Sequence, residues 1–206
     1  MESYQPIFEA IRQHCATQRW YGADMLGPEY RHVRDDDPRR ISFEFPPTTE
    51  AQVREREYRL GLSLPPMLRA CYTQLANGGF GPAYGLRSII DECEYPDDLL
   101  EHYLAICEVH EVLDLDMLTA SSGGTHVFTI PFEQWVRAAL PLIEEGCAMT
   151  LCLDTSSGSI FRVAPSVADE TFRYLAPSFE ALLGLWLSDE LYLHEKSHSL
   201  FLSGLK

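Results

Sequence analysis

The chain has 206 residues, of which 46% are hydrophobic and 23% are charged, and its net charge at pH 7 is −15. These values are typical of a folded globular protein that is long enough to bury one good core, and they argue against a disordered chain. No stretch approaches the ~18 consecutive apolar residues of a membrane span. The first residues also lack the apolar region of a signal peptide. We therefore expect a cytoplasmic protein.

The negative charge is concentrated in one part of the chain. Residues 88–136, here called the acidic insert, contain 11 acidic residues and no Lys or Arg. In residues 1–87, by contrast, 11 acidic residues are balanced by 11 arginines. An acidic field repels nucleic acid and anionic membranes, whereas it attracts a basic protein and raises its association rate. A solvated acidic face without a specific role is the alternative interpretation.

The N-terminal half predicts helices and one strand. A one-sided apolar stripe indicates a helix over residues 5–20, and the alternation in residues 41–45 indicates a half-buried strand. Thr48 or Thr49 then caps a helix that continues to Leu60.

The stretch after Leu60 carries the most specific local signals. Gly61 suits the left-handed position past a helix end. Pro65-Pro66 starts the next helix, over residues 67–76, because proline at the first helical position loses no hydrogen bond. Leu68, Cys71, Tyr72 and Leu75 form one apolar stripe along it. Asn77-Gly78-Gly79 ends the helix.

The C-terminal half mixes helices with short strands. The patterns predict a short strand at 84–90, a helix starting near Pro96, a turn at 121–124, a strand at 125–130, a partly helical segment at 132–143, a hairpin of strands 148–153 and 159–163, and a final helix at 178–187. Because strands and helices do not alternate regularly, we predict an α+β fold rather than a doubly wound α/β fold.

Two short motifs suggest enzymatic chemistry, but their context argues against it. His194-Glu195-Lys196-Ser197-His198 matches H-E-x-x-H, yet the last residues of the chain leave no downstream third zinc ligand. The glycines of 79–85 follow a helix rather than a strand and lack the G-x-G-x-x-G spacing. The acidic insert has no D-x-D-x-D-G loop for a divalent metal.

The six cysteines indicate reduced, buried thiols. They are scattered through the chain, and none forms a C-x-x-C pair. Together with the two rejected motifs, this predicts a non-enzymatic chain without a cofactor or a bound metal.

The ordered string from Glu57 to Pro82, E-x-x-L-G-x-x-L-P…Y…N-G-G-F-G-P, resembles the SUKH superfamily, which is named partly for a fungal cell-wall-assembly regulator. The likeness is closest to the bacterial Smi/Knr-type members. A second set of segments resembles the same family, namely 140–143, 146–147, 151–154, 158–163 and 178–187. One departure is visible, because family members often have Asp-Trp where this chain has Glu144-Glu145.

The resemblance covers roughly residues 48–190 and implies a single SUKH-like domain in which a mixed, mainly antiparallel sheet packs with several helices. Residues 1–47 would then be an N-terminal extension and 191–206 a C-terminal tail. The family also implies a binding protein rather than an enzyme. Its bacterial members are commonly immunity proteins that neutralise a cognate toxin, often a nuclease. The fungal relative suggests the alternative of a cellular scaffold or regulatory adaptor.

Combining the resemblance with the charge distribution gives a candidate interface for a basic toxin domain. We expect the partner to contact the start of the acidic insert and the glycine-rich loop. The candidate residues are Asp91, Glu92, Glu94, Asp97, Asp98, Glu101, Gly79 and Phe80.

Overall fold

The structure, a computed structural model, describes residues 4–17, 45–90, 98–104, 138–146, 149–163 and 172–192. The helices are α1 (Gln5–Thr17), α2 (Glu50–Leu60), α3 (Pro66–Ala70), which continues as a π-helix (Cys71–Leu75), a helical segment at residues 99–104, and α4 (Phe179–Leu187). The strands are β1 (Ala139–Gly146), β2 (Met149–Asp154), β3 (Ile160–Val163) and β4 (Phe172–Ala176). The predicted α+β class is confirmed.

The four strands form an antiparallel sheet in the order β1-β2-β3-β4. The predicted hairpin is β2–β3, and its turn is closed by the Asp154 carboxylate, which accepts the backbone N–H of Ser156 at 2.8 Å and the Ser157 hydroxyl at 2.8 Å. Short polar side chains that form hydrogen bonds with the backbone two residues further along the chain are typical of such turns.

The sequence patterns missed β1 and β4. The prediction of a partly helical 132–143 is wrong over 139–143, which belong to β1. Residues 139–143 are all buried, so they show no polar/apolar alternation, and a short apolar run of this kind does not distinguish strand from helix. The strand predicted at 84–90 is reduced to isolated bridges, from Leu86 to Ile143 and from Ser88 to Asp98.

The helix ends follow the predicted local chemistry. Thr49 caps α2 in a reciprocal arrangement with Gln52, and Gly61 ends α2 with φ +66°. The helix that starts at Pro66 finishes as a π-helix, in which the Ala76 N–H bonds the Cys71 carbonyl five residues back at 3.1 Å. Sequence periodicity did not predict that widening. Ser178 caps α4 through the N–H of Ala181 at 3.2 Å.

One hydrophobic core joins the helices to the sheet. His14 of α1 and Trp186 of α4 meet edge to face, with ring centroids 4.5 Å apart. All four residues of the predicted stripe on the helix that starts at Pro66 are buried, and so are Phe179, Leu182, Leu183 and Trp186 of α4. The largest fully buried side chains are Trp186, Tyr72, Phe8, Phe80, Phe179, Ile11 and Met67.

Several predicted features lie outside the described residues. They are most of the strand at 41–45, the turn at 121–124, the strand at 125–130 and the H-E-x-x-H motif at 194–198. Among the described helices, none combines the length and the apolar character needed to cross a bilayer.

Candidate partner-binding site

The residues of the E-x-x-L-G-x-x-L-P motif connect α2 to α3. The Glu57 carboxylate accepts the backbone N–H of Leu64 at 2.9 Å and pairs with the Arg69 guanidinium at 2.6 Å. Arg69 also contacts Glu50 at 2.5 Å, so one arginine bridges two carboxylates of α2. Leu60 and Leu64 are buried beside them. Glu57, Leu60 and Leu64 of this motif therefore contribute to the fold.

Tyr72 and Asn77 hold the segment that follows the glycines. The Tyr72 hydroxyl donates to the Arg87 carbonyl at 2.8 Å, and burial raises the pKa of Tyr72 well above its usual value, which keeps it a donor. The Asn77 side-chain oxygen accepts the N–H groups of Ile89 and Ile90 at 2.9 and 3.3 Å, and its amide donates to the Ile90 carbonyl at 3.1 Å. A buried polar side chain bonded in this way fixes the path of the backbone.

Residues 77–85, here called the glycine loop, lie along the outer edge of β1. The Tyr84 N–H donates to the Glu144 carbonyl at 3.2 Å, and two residues past the loop the Arg87 N–H donates to the Leu142 carbonyl at 2.8 Å. The loop needs positive φ at four glycines and also at Ala83, where φ is +51°. Its backbone therefore covers an edge that would otherwise be open to pairing.

Two predicted contact residues, Gly79 and Phe80, lie inside this loop. Phe80 is 0% exposed and belongs to the hydrophobic core. Gly79 is also buried, and its N–H donates to the Leu86 carbonyl at 2.8 Å. Both residues thus contribute to the packing of the loop, and neither presents a side chain to a partner in this conformation.

Sequence reasoning missed the aromatic residue that the glycine loop does present. From residue 75 to residue 89, Tyr84 is the only exposed residue, and 37% of its surface is accessible. Its ring lies against Gly146, where a Cβ would be 3.2 Å from Tyr84 Cε2. One feature of the sequence could have identified Tyr84, because it is a large aromatic residue between the small residues Ala83 and Gly85.

The predicted contact residue Asp98 has an internal role. Its Oδ1 accepts the N–H groups of Leu100 and Glu101 at 2.7 and 3.1 Å, which caps the 99–104 helix. Its Oδ2 pairs with Arg56 of α2 at 2.9 Å, and the residue is 8% exposed. The Leu99 N–H donates to the Ser88 carbonyl at 2.8 Å, so this cluster joins Ser88 to the 99–104 helix.

Of the remaining predicted acidic contacts, Glu101 alone is among the described residues. Glu101 is exposed on the 99–104 helix. Asp91, Glu92, Glu94 and Asp97 fall in sequence between Ile90 and Asp98 and lie outside the described residues. Their predicted contact with a partner stays a prediction.

Replacing Asp98 by asparagine is expected to lower the free energy of unfolding by about 1–2 kcal/mol. The amide oxygen still caps the helix, but the Arg56 guanidinium, whose side chain is only 12% exposed, loses its charged partner. Urea denaturation of Asp98→Asn measures the change, with Glu101→Gln as the exposed control, for which a change below about 0.5 kcal/mol is expected. Equal effects at the two positions would contradict an internal role for Asp98.

Glu144 and Glu145 are neighbours in sequence but occupy opposite environments. The Glu144 side chain is 42% exposed and contacts Arg87 at 3.2 Å. The Glu145 side chain is 0% exposed and forms a two-point ion pair with Arg162 of β3, one of whose contacts is 2.8 Å. Tyr192 adds a hydroxyl bond to Glu145 at 2.8 Å, and its ring centroid lies 5.8 Å from the Arg162 guanidinium. Glu144 and Glu145, which stand where family members often have Asp-Trp, therefore form two different ion pairs.

The described ionisable side chains form no metal-binding group, and the described thiols are buried. Within the described ranges, no three His, Cys, Asp or Glu side chains are grouped to hold a metal ion. Cys15, Cys71 and Cys152 are buried and form no disulfide, as predicted. Burial raises the pKa of Cys15 and of Cys152 to about 12 and also raises the pKa of Cys71, so these thiols stay protonated and weakly nucleophilic.

The segments that form the motif, the glycine loop and the sheet match a known protein family. The model of the SMI1/KNR4 family (SUKH-1) matches residues 47–184, about two thirds of the chain. The chain belongs to this family. The SUKH-1 match runs from the residue before Thr48 to Gly184 in α4, so it includes the motif residues, the glycine loop and the sheet. No curated protein matches the chain.

Proposed function

We propose that this SUKH-1 chain is a non-enzymatic, cytoplasmic protein-binding domain that acts as a bacterial immunity protein. It neutralises a basic toxin domain by binding it stoichiometrically. The observation that carries the proposal is the charge of the acidic insert, with 11 acidic residues and no Lys or Arg, in a chain of this family.

The mechanism would be electrostatic occlusion. Toxins that act on nucleic acid carry basic substrate-binding surfaces, because the phosphate backbone supplies much of their affinity. Acidic side chains of the insert would take the place of substrate phosphates on such a surface. Complementary charge also speeds association and suppresses binding to acidic partners. The ion pair of Arg56 with Asp98 holds residues 98–104, a described part of the acidic insert, to α2.

A pull-down of tagged full-length chain from its native cells, at low and at high salt, tests the proposal. The expected result is one dominant basic partner with a toxin domain, recovered at low salt and reduced at high salt. Loss of the toxin's activity at a 1:1 ratio should follow in a purified assay. Recovery of several partners without a catalytic domain would instead indicate an adaptor, and the immunity role would then be rejected.

Reversing three acidic charges at the candidate interface is expected to slow association with that partner. For Glu92→Lys/Glu94→Lys/Glu101→Lys, the association rate constant at low salt should fall at least about tenfold, because steering by the acidic field is reduced. Stopped-flow or surface-based kinetics at two salt concentrations provides the measurement.

The matched control is Glu9→Lys/Glu55→Lys/Glu190→Lys. All three control residues are exposed, and the control triple has the same net charge as the test triple. Its association rate should stay within about threefold of the original rate. If both triples slow association equally, total charge is responsible and the acidic insert is not the interface.

A further inference from the structure

We propose that Tyr84 is the central anchor of the partner interface, and that it receives a cationic side chain, preferably an arginine, of the basic partner. This inference rests on the proposed function and names the residue and the chemistry by which the partner is held.

Tyr84 is the exposed residue of an otherwise buried segment. Each of its fourteen neighbours in residues 75–89 is buried, so the segment as a whole is interior. A single large aromatic ring left accessible in such a segment is the kind of residue that dominates protein interfaces, where tyrosine is enriched among the strongest contacts.

The ring is also held before any partner binds. The Tyr84 backbone N–H is bonded to Glu144, and Ala83 on one side and Gly85 on the other have positive φ. The ring rests on Gly146, whose missing Cβ leaves the space it occupies. Ordering a free side chain on binding costs conformational entropy, and a side chain already packed avoids much of that cost.

The charge beside the ring selects a cation. The Tyr84 N–H bonds the Glu144 carbonyl and the Tyr84 ring packs on Gly146, so the ring lies at the end of β1 that carries the Glu144 carboxylate. Glu144 is 42% exposed and is oriented by Arg87, which is itself 4% exposed. An arginine can stack on an aromatic face and pair with a carboxylate at the same time, which a lysine does less well.

Tyr84 is close in sequence to the start of the acidic insert. It precedes Ser88 by four residues, and the Ser88 carbonyl bonds the first turn of the 99–104 helix. In this proposal, a basic partner drawn to the acidic insert also contacts Tyr84. The insert accelerates the encounter, and the aromatic residue slows dissociation, since affinity differences arise mostly in dissociation rates.

The test measures the Kd of the purified full chain for the basic partner recovered in the pull-down. Tyr84→Leu keeps an apolar side chain against Gly146 but removes the aromatic face, and Kd should rise on the order of 30-fold. Tyr84→Phe keeps the face and should stay within about threefold. Tyr58→Leu is the matched control, because Tyr58 is 88% exposed on α2, and it should change Kd less than about twofold.

Fluorination separates a cation contact from a purely apolar one. Phenylalanine carrying one, two or three fluorines at position 84 has progressively less electron density on its face, so affinity should fall stepwise if a cation lies over the ring. Constant affinity along this series would overturn the cationic partner residue.

A Kd for Tyr84→Leu within about twofold of the original would overturn the anchor role and leave the proposed function standing. Failure to recover any basic partner would overturn both. Thermal unfolding of each variant, expected within a few degrees of the original protein, confirms that binding rather than folding was changed.

Discussion

Replacing Glu145 by alanine is expected to lower the free energy of unfolding by about 3–5 kcal/mol. The Glu145 side chain is fully buried, and Arg162 is 9% exposed, so the variant leaves a guanidinium in the interior without its carboxylate. The Tyr192 hydroxyl loses its acceptor as well. Because a domain of this size is stable by only about 5–15 kcal/mol, guanidinium chloride denaturation should show a large shift of the midpoint.

Two controls test whether the loss of stability comes from leaving the Arg162 charge buried without a partner or merely from losing an ion pair. Glu9→Ala removes an exposed contact with Arg12 at 3.9 Å and should cost less than about 0.5 kcal/mol. Glu145→Leu/Arg162→Met removes both buried charges and should recover most of the stability lost in Glu145→Ala, since apolar replacements of buried ion pairs are often neutral. A double variant no more stable than Glu145→Ala would contradict this explanation.

Much of the fold was predictable because its boundaries depend on local chemistry. Thr49, Gly61 and Pro66 act within a few residues of their own position, so a sequence pattern suffices to locate the helix ends. The β2–β3 hairpin is local in the same sense, because its turn is closed by the Asp154 side chain. Such features require no knowledge of distant contacts.

The strands β1 and β4 were missed although each pairs with a strand next to it in sequence. β1 is buried almost throughout, and one of its edges is covered by the glycine loop from more than 50 residues away in sequence. No local alternation marks it as a strand. The π-helix that continues α3 was missed because the stripe of apolar residues is the same for both helix types over one turn.

The candidate site was predictable only by charge and family. Composition identified the acidic insert, but it did not distinguish Asp98, which caps a helix and pairs with Arg56, from the exposed Glu101. In the glycine loop, the pattern identified an unusual backbone but selected Phe80 instead of Tyr84. Which of two aromatics four residues apart faces outward depends on how the loop docks on β1, and that contact is not encoded locally.

Replacing Gly78 by alanine is expected to lower the free energy of unfolding by about 3 kcal/mol. Two effects contribute. Gly78 has φ +96°, which an L-residue adopts only at a cost of roughly 1–2 kcal/mol. A Cβ there would also lie 2.6 Å from the Leu86 carbonyl oxygen and 2.9 Å from that of Arg87, closer than side-chain atoms approach a backbone. Crowding of this kind typically adds about 1–3 kcal/mol.

The backbone that the new methyl group would meet has little freedom to move. The Leu86 carbonyl accepts the Gly79 N–H at 2.8 Å, the Arg87 carbonyl accepts the Tyr72 hydroxyl at 2.8 Å, and the Arg87 N–H is bonded to Leu142 of β1. Relief of the clash would therefore break a bond that attaches the glycine loop to the sheet or to the π-helix. The Tyr84 anchor lies in the same loop, so partner binding should weaken together with stability.

Gly61→Ala is the matched control for Gly78→Ala. Gly61 also has positive φ, at +66°, but a Cβ there would meet nothing within 4 Å. Gly61→Ala should therefore cost only the conformational part, about 1 kcal/mol. Urea denaturation of both variants isolates the contribution of the clash as the difference between them. Equal destabilisation would show that the segment carrying Leu86 and Arg87 yields to the added methyl group, and the glycine loop would then be less firmly attached to β1 than its hydrogen bonds indicate.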